Sequence, residues 1–325
     1  MCYHYNYNLA INMRFKELFG SKRKELKNIP EASPESIEMR EIFNANFGAK
    51  TESSMEHPDR NEDAFFVDED EGIAGIFDGM GGHKGGQFAS ETGAASVLES
   101  LKSVGGELSA KEWEEKISNS MTKASQEILD LSKDDPEKMG GMGCTATILK
   151  LLETKDGKKA IIGNAGDSRA YLLRNGKLIR LTRDDSMVQE LIDLKQLKDD
   201  EDLNQKVSLD FGKGKKTLTV GEIRHGITQA LGIGQRSHDE LKPRIRTLDI
   251  LPDDMLMLSS DGIHDNLTDK EIKDILNGQE FTGSKGEKMT FERQMVQKAK
   301  AIEGDESNPR SKPDDKTAIV IKILK

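Results

Sequence analysis

The stretch GIFDGMGGHKGG, residues 75–86, puts one carboxylate, Asp78, at the end of an apolar run and follows it with five glycines and a histidine within eight residues. Glycines in that number let a chain turn sharply and let backbone atoms approach a neighbouring group closely. Working outward from it, short strand-like runs recur: AFFVD (64–68), IAGIF (73–77), CTATILKLL (144–152), KAIIGN (159–164), RAYLL (169–173), MLMLS (255–259) and TAIVIKIL (317–324). Asp156-Gly157 and Asn175-Gly176 each sit between two such runs and supply the positive φ of tight hairpins, so antiparallel pairing is expected. Two helices interrupt the strands. Phe88, Ala95, Leu98 and Leu101 recur at helical spacing, as do Trp113, Ile117, Met121, Ala124, Ile128 and Leu131, giving each helix an apolar stripe for a sheet. The pattern predicts an α+β fold in which helices cover antiparallel sheets.

Composition narrows the function classes. The chain has 325 residues and a net charge of -10, which argues against nucleic acid or an anionic membrane surface as partner. Only Cys2 and Cys144 are present, without a CxxC, so neither a disulfide framework nor a zinc site is expected, and a reducing cytoplasm fits. No export signal and no long apolar span is read, so a cytoplasmic location is expected. Residues 1–47, with Pro30 and Pro34 among small and acidic residues, read as an N-terminal extension or linker. Residues 187–243 are polar, show few strand signals and read as a flap or insertion over one end of the domain.

The acids follow the strands. Asp63 stands immediately before AFFVD, Asp314 three residues before TAIVIKIL, Asp78 immediately after IAGIF, and Asp261 two residues after MLMLS. In antiparallel sheets the start of one strand lies beside the end of its neighbour, so all four can meet on one rim. Each alone is an ordinary turn or cap residue. Together, four carboxylates would repel by several kcal/mol at an effective dielectric of ~20 unless a cation neutralises them. All the donors are oxygens, which matches Mg²⁺ or Mn²⁺. Asp78 then reads as a metal ligand. Asp167, between KAIIGN and RAYLL, is placed on the same rim by the same argument.

The set resembles the metal-dependent protein serine/threonine phosphatases, the PPM family or type 2C, in their bacterial-like form. The matching segments are RNEDAFF (60–66), FDGMGGHKGG (77–86), GMGCTATIL (141–149), GNAGDSRAYLLRNGKL (163–178), LTRDDS (181–186), ITQALG (227–232), LSSDGIHDNLTD (258–269) and DDKTAIVIKI (314–323), in family order. The resemblance implies a sandwich of two antiparallel β-sheets flanked by α-helices, with residues 48–325 as the catalytic domain. It implies a binuclear Mg²⁺ or Mn²⁺ centre in which Asp78 bridges both ions beside the carbonyl of Gly79. Asp63, Asp261 and Asp314 are the other carboxylate ligands, and Glu62 binds an ion or orients its water. Asp167 and Asp261 hold a third, weaker ion, which could supply the acid for the leaving group. The implied reaction is direct attack of a metal-bridging hydroxide on phosphoserine or phosphothreonine, with phosphorylated proteins as substrates and a monomeric enzyme.

Departures from the family pattern leave alternatives open. The family's phosphate-gripping arginine position holds Pro58; Arg60 either reaches the same place by a shifted path or is a surface residue, in which case His57 is the next candidate. Met80 replaces a histidine that some members use as general acid, His83 reads as structural, and His264 reads as a turn residue. Asp315 and Asp185 replace a frequent Asn and His without removing a ligand. Two other functions remain beside the protein phosphatase: a metal-dependent hydrolase of a small phosphorylated metabolite, and an inactive phosphatase-like binding module.

Overall fold

The computed structural model describes residues 44–81, 85–102, 108–200, 202–210, 212, 214–233, 241–278, 289–305 and 307–325. The chain divides into Met1–Glu41 and Ile42–Lys325, and all that follows concerns the second unit. Its strands are β1 (Ala45–Glu52), β2 (Asp63–Asp68), β3 (Ile73–Met80), β4 (Gly143–Cys144), β5 (Ala146–Thr154), β6 (Gly157–Ala165), β7 (Arg169–Arg174), β8 (Lys177–Arg180), β9 (Lys206–Asp210), β10 (Lys215–Thr219), β11 (Arg244–Asp249), β12 (Met255–Ser259) and β13 (Lys316–Ile323). The helices are α1 (Gly85–Lys102), α2 (Ala110–Asp134), α3 (Pro136–Met139), α4 (Met187–Asp193), α5 (Val220–Ile223), α6 (Asp261–His264), α7 (Asp269–Leu276) and α8 (Phe291–Glu303).

Two antiparallel sheets, ordered β1-β13-β12-β7-β8 and β11-β6-β5-β3-β2, form the centre. Both faces of the central strands are apolar, as burial on two sides requires. Ala74 and Ile76 of β3, Leu149 and Leu151 of β5, Leu256 and Leu258 of β12, and Ile319 and Ile321 of β13 interdigitate between the sheets. The alternate residues Ile73 and Phe77 turn outward onto α1 and α2, and Met255 and Met257 turn onto α6, α7 and α8. The result is a four-layer α/β/β/α sandwich. Each fully buried Leu or Ile in these layers contributes about 2 kcal/mol of transfer free energy.

α2 begins at Ser109, whose hydroxyl and the Glu112 carboxylate form a reciprocal capping box. It buries Trp113, Ile117, Met121, Ala124 and Ile128 of the stripe expected from spacing, while Leu131, the last of that stripe, is only partly buried. For α1 the structure corrects the expected stripe. The buried face is Ala89, Gly93, Ala94, Val97 and Leu101, while Phe88 and Leu98 pack only partly buried at its margin. Small residues dominate because the helix lies close to β3 and β4: a Cβ on Gly93 would sit 3.0 Å from Cys144 Sγ and 3.3 Å from the Phe77 ring.

Several strands carry no strong pattern. β1 lies at the edge of its sheet, paired with β13 from Ala45↔Ile323 to Glu52↔Lys316, and starts ahead of residue 48, where the catalytic domain was expected to begin. In the polar segment 187–243, β9 and β10 form a hairpin. With α4 and α5 they enclose a small core of their own, built on Val188, Leu191, Leu197, Val207, Leu218, Val220 and Ile223. The expected hairpin at Asn175-Gly176 is present, with φ of 51° and 72°.

Candidate metal centre

Asp63 and Asp78 face each other in register on β2 and β3. The strand does not stop before Asp78, as the apolar run suggested; β3 continues to Met80 because β4 pairs with its end through Gly79↔Cys144. Thr145 fixes the Asp78 backbone on both sides. Its hydroxyl accepts from Asp78 N at 2.9 Å and its amide donates to Asp78 O at 2.8 Å. Gly79 N donates to Glu62 O at 3.1 Å. Only glycine fits there: a Cβ would lie 2.1 Å from Gly86 O at the start of α1.

The second sheet reaches the same rim. The β12–β13 ladder is extended by Ser260 N donating to Thr317 O at 3.1 Å. The hydroxyls of Ser260 and Thr317 both donate to Asp63 Oδ2, at 2.8 and 2.6 Å, and so tie an acid of one sheet to the backbone of the other. Asp261 opens α6 at the end of β12, and Asp314 precedes β13. Asp167 lies buried in the β6–β7 turn, where the chain crosses from one sheet to the other. Asp185 braces that turn, its carboxylate accepting from Gly166 N at 3.2 Å and its own amide donating to Gly166 O at 2.9 Å.

Electrostatics show that these acids share one environment. Burial, then the charges of Asp261, Asp63, Asp314 and Asp167, push the Asp78 carboxyl well above the ordinary range. Asp63 rises through burial and Asp315, against the lowering effect of its two hydroxyl donors. Asp167 rises through burial and Asp261, and Asp261 through burial and Asp314. Glu62 rises by burial, partly offset by Arg60. Holding these groups ionised together requires positive charge among them.

The donor chemistry fits a hard divalent ion. Asp63 Oδ1, Asp167 Oδ1 and Asp261 Oδ1 are all buried without a hydrogen-bond partner among the described residues, and such oxygens are the ligands that Mg²⁺ and Mn²⁺ prefer. Among the described residues no group of three or more His, Cys, Asp or Glu side chains is already gathered at metal-binding distances.

The flanking residues sort differently. Arg60 Nε stands 3.3 Å from Glu62 Oε1 with its side chain 40% exposed, so it reaches the rim and also faces solvent. His57 Nδ1 lies 3.6 Å from Asp315 Oδ1. Asp315 itself accepts from Ser54 N at 2.7 Å and Glu62 N at 2.6 Å, and so anchors the loop that carries Glu62, a role its sequence position did not signal. His264 is buried 3.0 Å from Ser259 Oγ, and burial holds it well below the usual histidine range, hence neutral at pH 7. Met80 ends β3, and His83 lies outside the described residues. Lys312, passed over in the sequence, stands among Asp261, Asp265 and Asp314; its only signal was a position two residues before Asp314.

A family model described as Protein phosphatase 2C matches residues 40–191. A "Putative protein phosphatase 2C-type" of Streptococcus pyogenes is 31% identical over 216 residues, 66% of this chain and 76% of that protein. A "Serine/threonine phosphatase stp" of Listeria monocytogenes is 27% identical over 232 residues, 71% of this chain and 82% of that protein. Among solved structures, the catalytic domain of the serine/threonine protein phosphatase PstP, in complex with two manganese ions, superposes with a TM-score of 0.63 at 22% identity, covering 86% of this chain and 99% of that one. An antiparallel double sheet with an acidic rim defines the class, and the chain belongs to the protein phosphatase 2C family. Among the described residues no helix is long and apolar enough to cross a membrane.

Proposed function

We propose that this chain is a metal-dependent protein serine/threonine phosphatase whose centre is formed by Glu62, Asp63, Asp78, the carbonyl of Gly79, Asp261 and Asp314, with Asp167 beside Asp261. The observation that carries the reading is the Asp63 carboxylate, tied to the other sheet by Ser260 and Thr317 through one oxygen while its second oxygen is buried without a partner. The manganese ions of the PstP domain and the serine/threonine specificity in the relatives' names support it. Bound Mg²⁺ or Mn²⁺ would supply activation of a water nucleophile near neutral pH and charge neutralisation at the phosphoryl group.

The rest of the chemistry belongs to the chain. Asp78 is presented by a strand clamped through Thr145, so it carries little freedom to lose when charge develops at the reacting phosphorus. Gly79, with no Cβ, allows its carbonyl and the start of α1 to approach together. Asp315 holds the Glu62 loop to the β13 side of the rim. Arg60, half exposed beside Glu62, is placed to meet an entering phosphate and to fix it by charge-assisted hydrogen bonds.

The test is phosphate release from a phosphothreonine peptide with Mn²⁺, with Mg²⁺, and with a chelator, set beside small phosphate esters. Metal-dependent turnover of the peptide is expected. Turnover confined to small metabolite esters would point to a metabolite hydrolase, and no turnover of either would point to a binding module.

A further inference from the structure

Lys312 is a lysine with its side chain only 6% exposed, and its ammonium contacts three carboxylates: Asp261, Asp265 at 3.1 Å and Asp314 at 3.0 Å. Its setting is built. Asn266, fully buried, clamps the lysine backbone from both sides, its Oδ1 accepting from Lys312 N and its Nδ2 donating to Lys312 O, each at 3.0 Å. The same Nδ2 donates to Gly262 O at 2.9 Å, joining the clamp to α6. α6 places Asp261 and Asp265 one turn apart, so both carboxylates point at the same ammonium. A Cβ on Gly262 would lie 2.0 Å from Asp315 O, so the helix and the 312–316 segment pack in backbone contact.

Two of these three acids, Asp261 and Asp314, are the ones assigned above to divalent ions, and Asp261 is also the acid assigned with Asp167 to a third. We infer that Lys312 is a tethered cation that takes the place of one divalent ion at Asp261, so that this chain binds one ion fewer than its acids would otherwise hold. The inference rests on the metal-centre reading of the rim. A covalently attached ammonium costs no translational entropy to bind and is present at all metal concentrations, so it wins over an ion held weakly by Asp167 and Asp261. The Asp167 and Asp261 oxygens left without partners are the donors an extra ion would use once the ammonium is gone.

The experiment counts Mn²⁺ bound to the full chain, by equilibrium dialysis and by electron paramagnetic resonance, for the wild type, Lys312→Met and Lys312→Arg. Methionine keeps the unbranched stem and removes the charge; arginine keeps the charge. The expected counts are two for the wild type, three for Lys312→Met and two for Lys312→Arg. Equal, non-zero counts in wild type and Lys312→Met overturn the inference alone, as does an ion gained equally by both variants. Absence of Mn²⁺ from all three proteins overturns the metal-centre reading and this inference with it. Should Lys312→Met fail to fold, a third Mn²⁺ in the wild type by itself overturns the inference.

Discussion

The two sheets deliver their acids to the rim in opposite ways. On the β2–β3 side, Asp63 is held by neutral hydroxyls and Asp78 by its backbone, and among the described residues no cationic side chain pairs with either. On the β12–β13 side, Asp261 and Asp314 sit against the Lys312 ammonium, and a second buried lysine, Lys316, pairs with Glu303 immediately behind them. Neutral donors orient a carboxylate and lower its demand for a cation only in part, whereas an ion pair satisfies more of that demand in advance. The difference teaches that one half of the rim is prepared to receive charge and the other half already contains some.

The largest effect expected from breaking this contrast is at Asp78. Asp78→Asn should lower turnover of a phosphothreonine peptide by at least ~10²-fold while the fold persists, since the carboxylate charge proposed to hold the ions is removed but carboxylate repulsion is relieved. The same variant sharpens the electrostatic side of the comparison. The folded Asp78 carboxyl titrates above its unfolded range, so without metal its contribution to stability falls as pH rises from the unfolded value toward the folded one. Urea unfolding with a chelator at about pH 5 and about pH 7.5 should therefore show a smaller loss in Asp78→Asn than in the wild type. A larger loss in the variant would reverse the sign of the argument.

Next in size is the hydroxyl latch. Thr317→Val removes one donor to Asp63 and should cost about 1–2 kcal/mol in denaturant unfolding, together with weaker Mn²⁺ binding read by titration calorimetry. An unchanged metal affinity would mean that Asp63 needs no orientation from the opposite sheet. The smallest effect is expected at Arg60, which is well exposed beside Glu62. Arg60→Ala should raise KM for the peptide roughly several-fold with a lesser change in kcat, because a phosphate contact of that kind already exists in the bound ground state. An unaltered KM would assign Arg60 to the surface and direct attention to His57.

Much of this was legible before any coordinates. The seven apolar runs became strands because period-2 burial on two sides leaves nearly continuous hydrophobic sequence, and the Asp-Gly and Asn-Gly turns between them are local chemistry. Asp63, Asp78, Asp261 and Asp314 could be placed at strand starts and ends for the same reason. What escaped depends on partners far away in sequence. β1 and β11 are edge strands with half-buried, partly polar faces, so nothing local distinguishes them from loops. Ser260 and Thr317 look like ordinary hydroxyl residues until the sheets close over Asp63. Lys312 in SKPDD carries no local signal, and its burial depends on Asp261 and Asp265, far away in sequence, with Asn266 holding its backbone. The α1 stripe was misplaced because small residues, which carry little weight in a hydrophobic pattern, pack closest.

The segment 187–223 has a private core. Val188, Leu191, Val207, Leu218 and Val220 pack on one another, apart from the layers of the sandwich, and such a unit opens and closes with its own free energy. Substitutions inside it should add independently to those elsewhere. Substitutions on the outer surface around α4, β9, β10 and α5 should therefore leave the layers of the sandwich intact. The segment is nevertheless joined to the strand that follows Asp167 through the Asp200 carboxylate, which pairs with Arg169 and Arg180, so a laboratory library over residues 187–223 that keeps Asp200 would vary the outer surface and leave that junction in place.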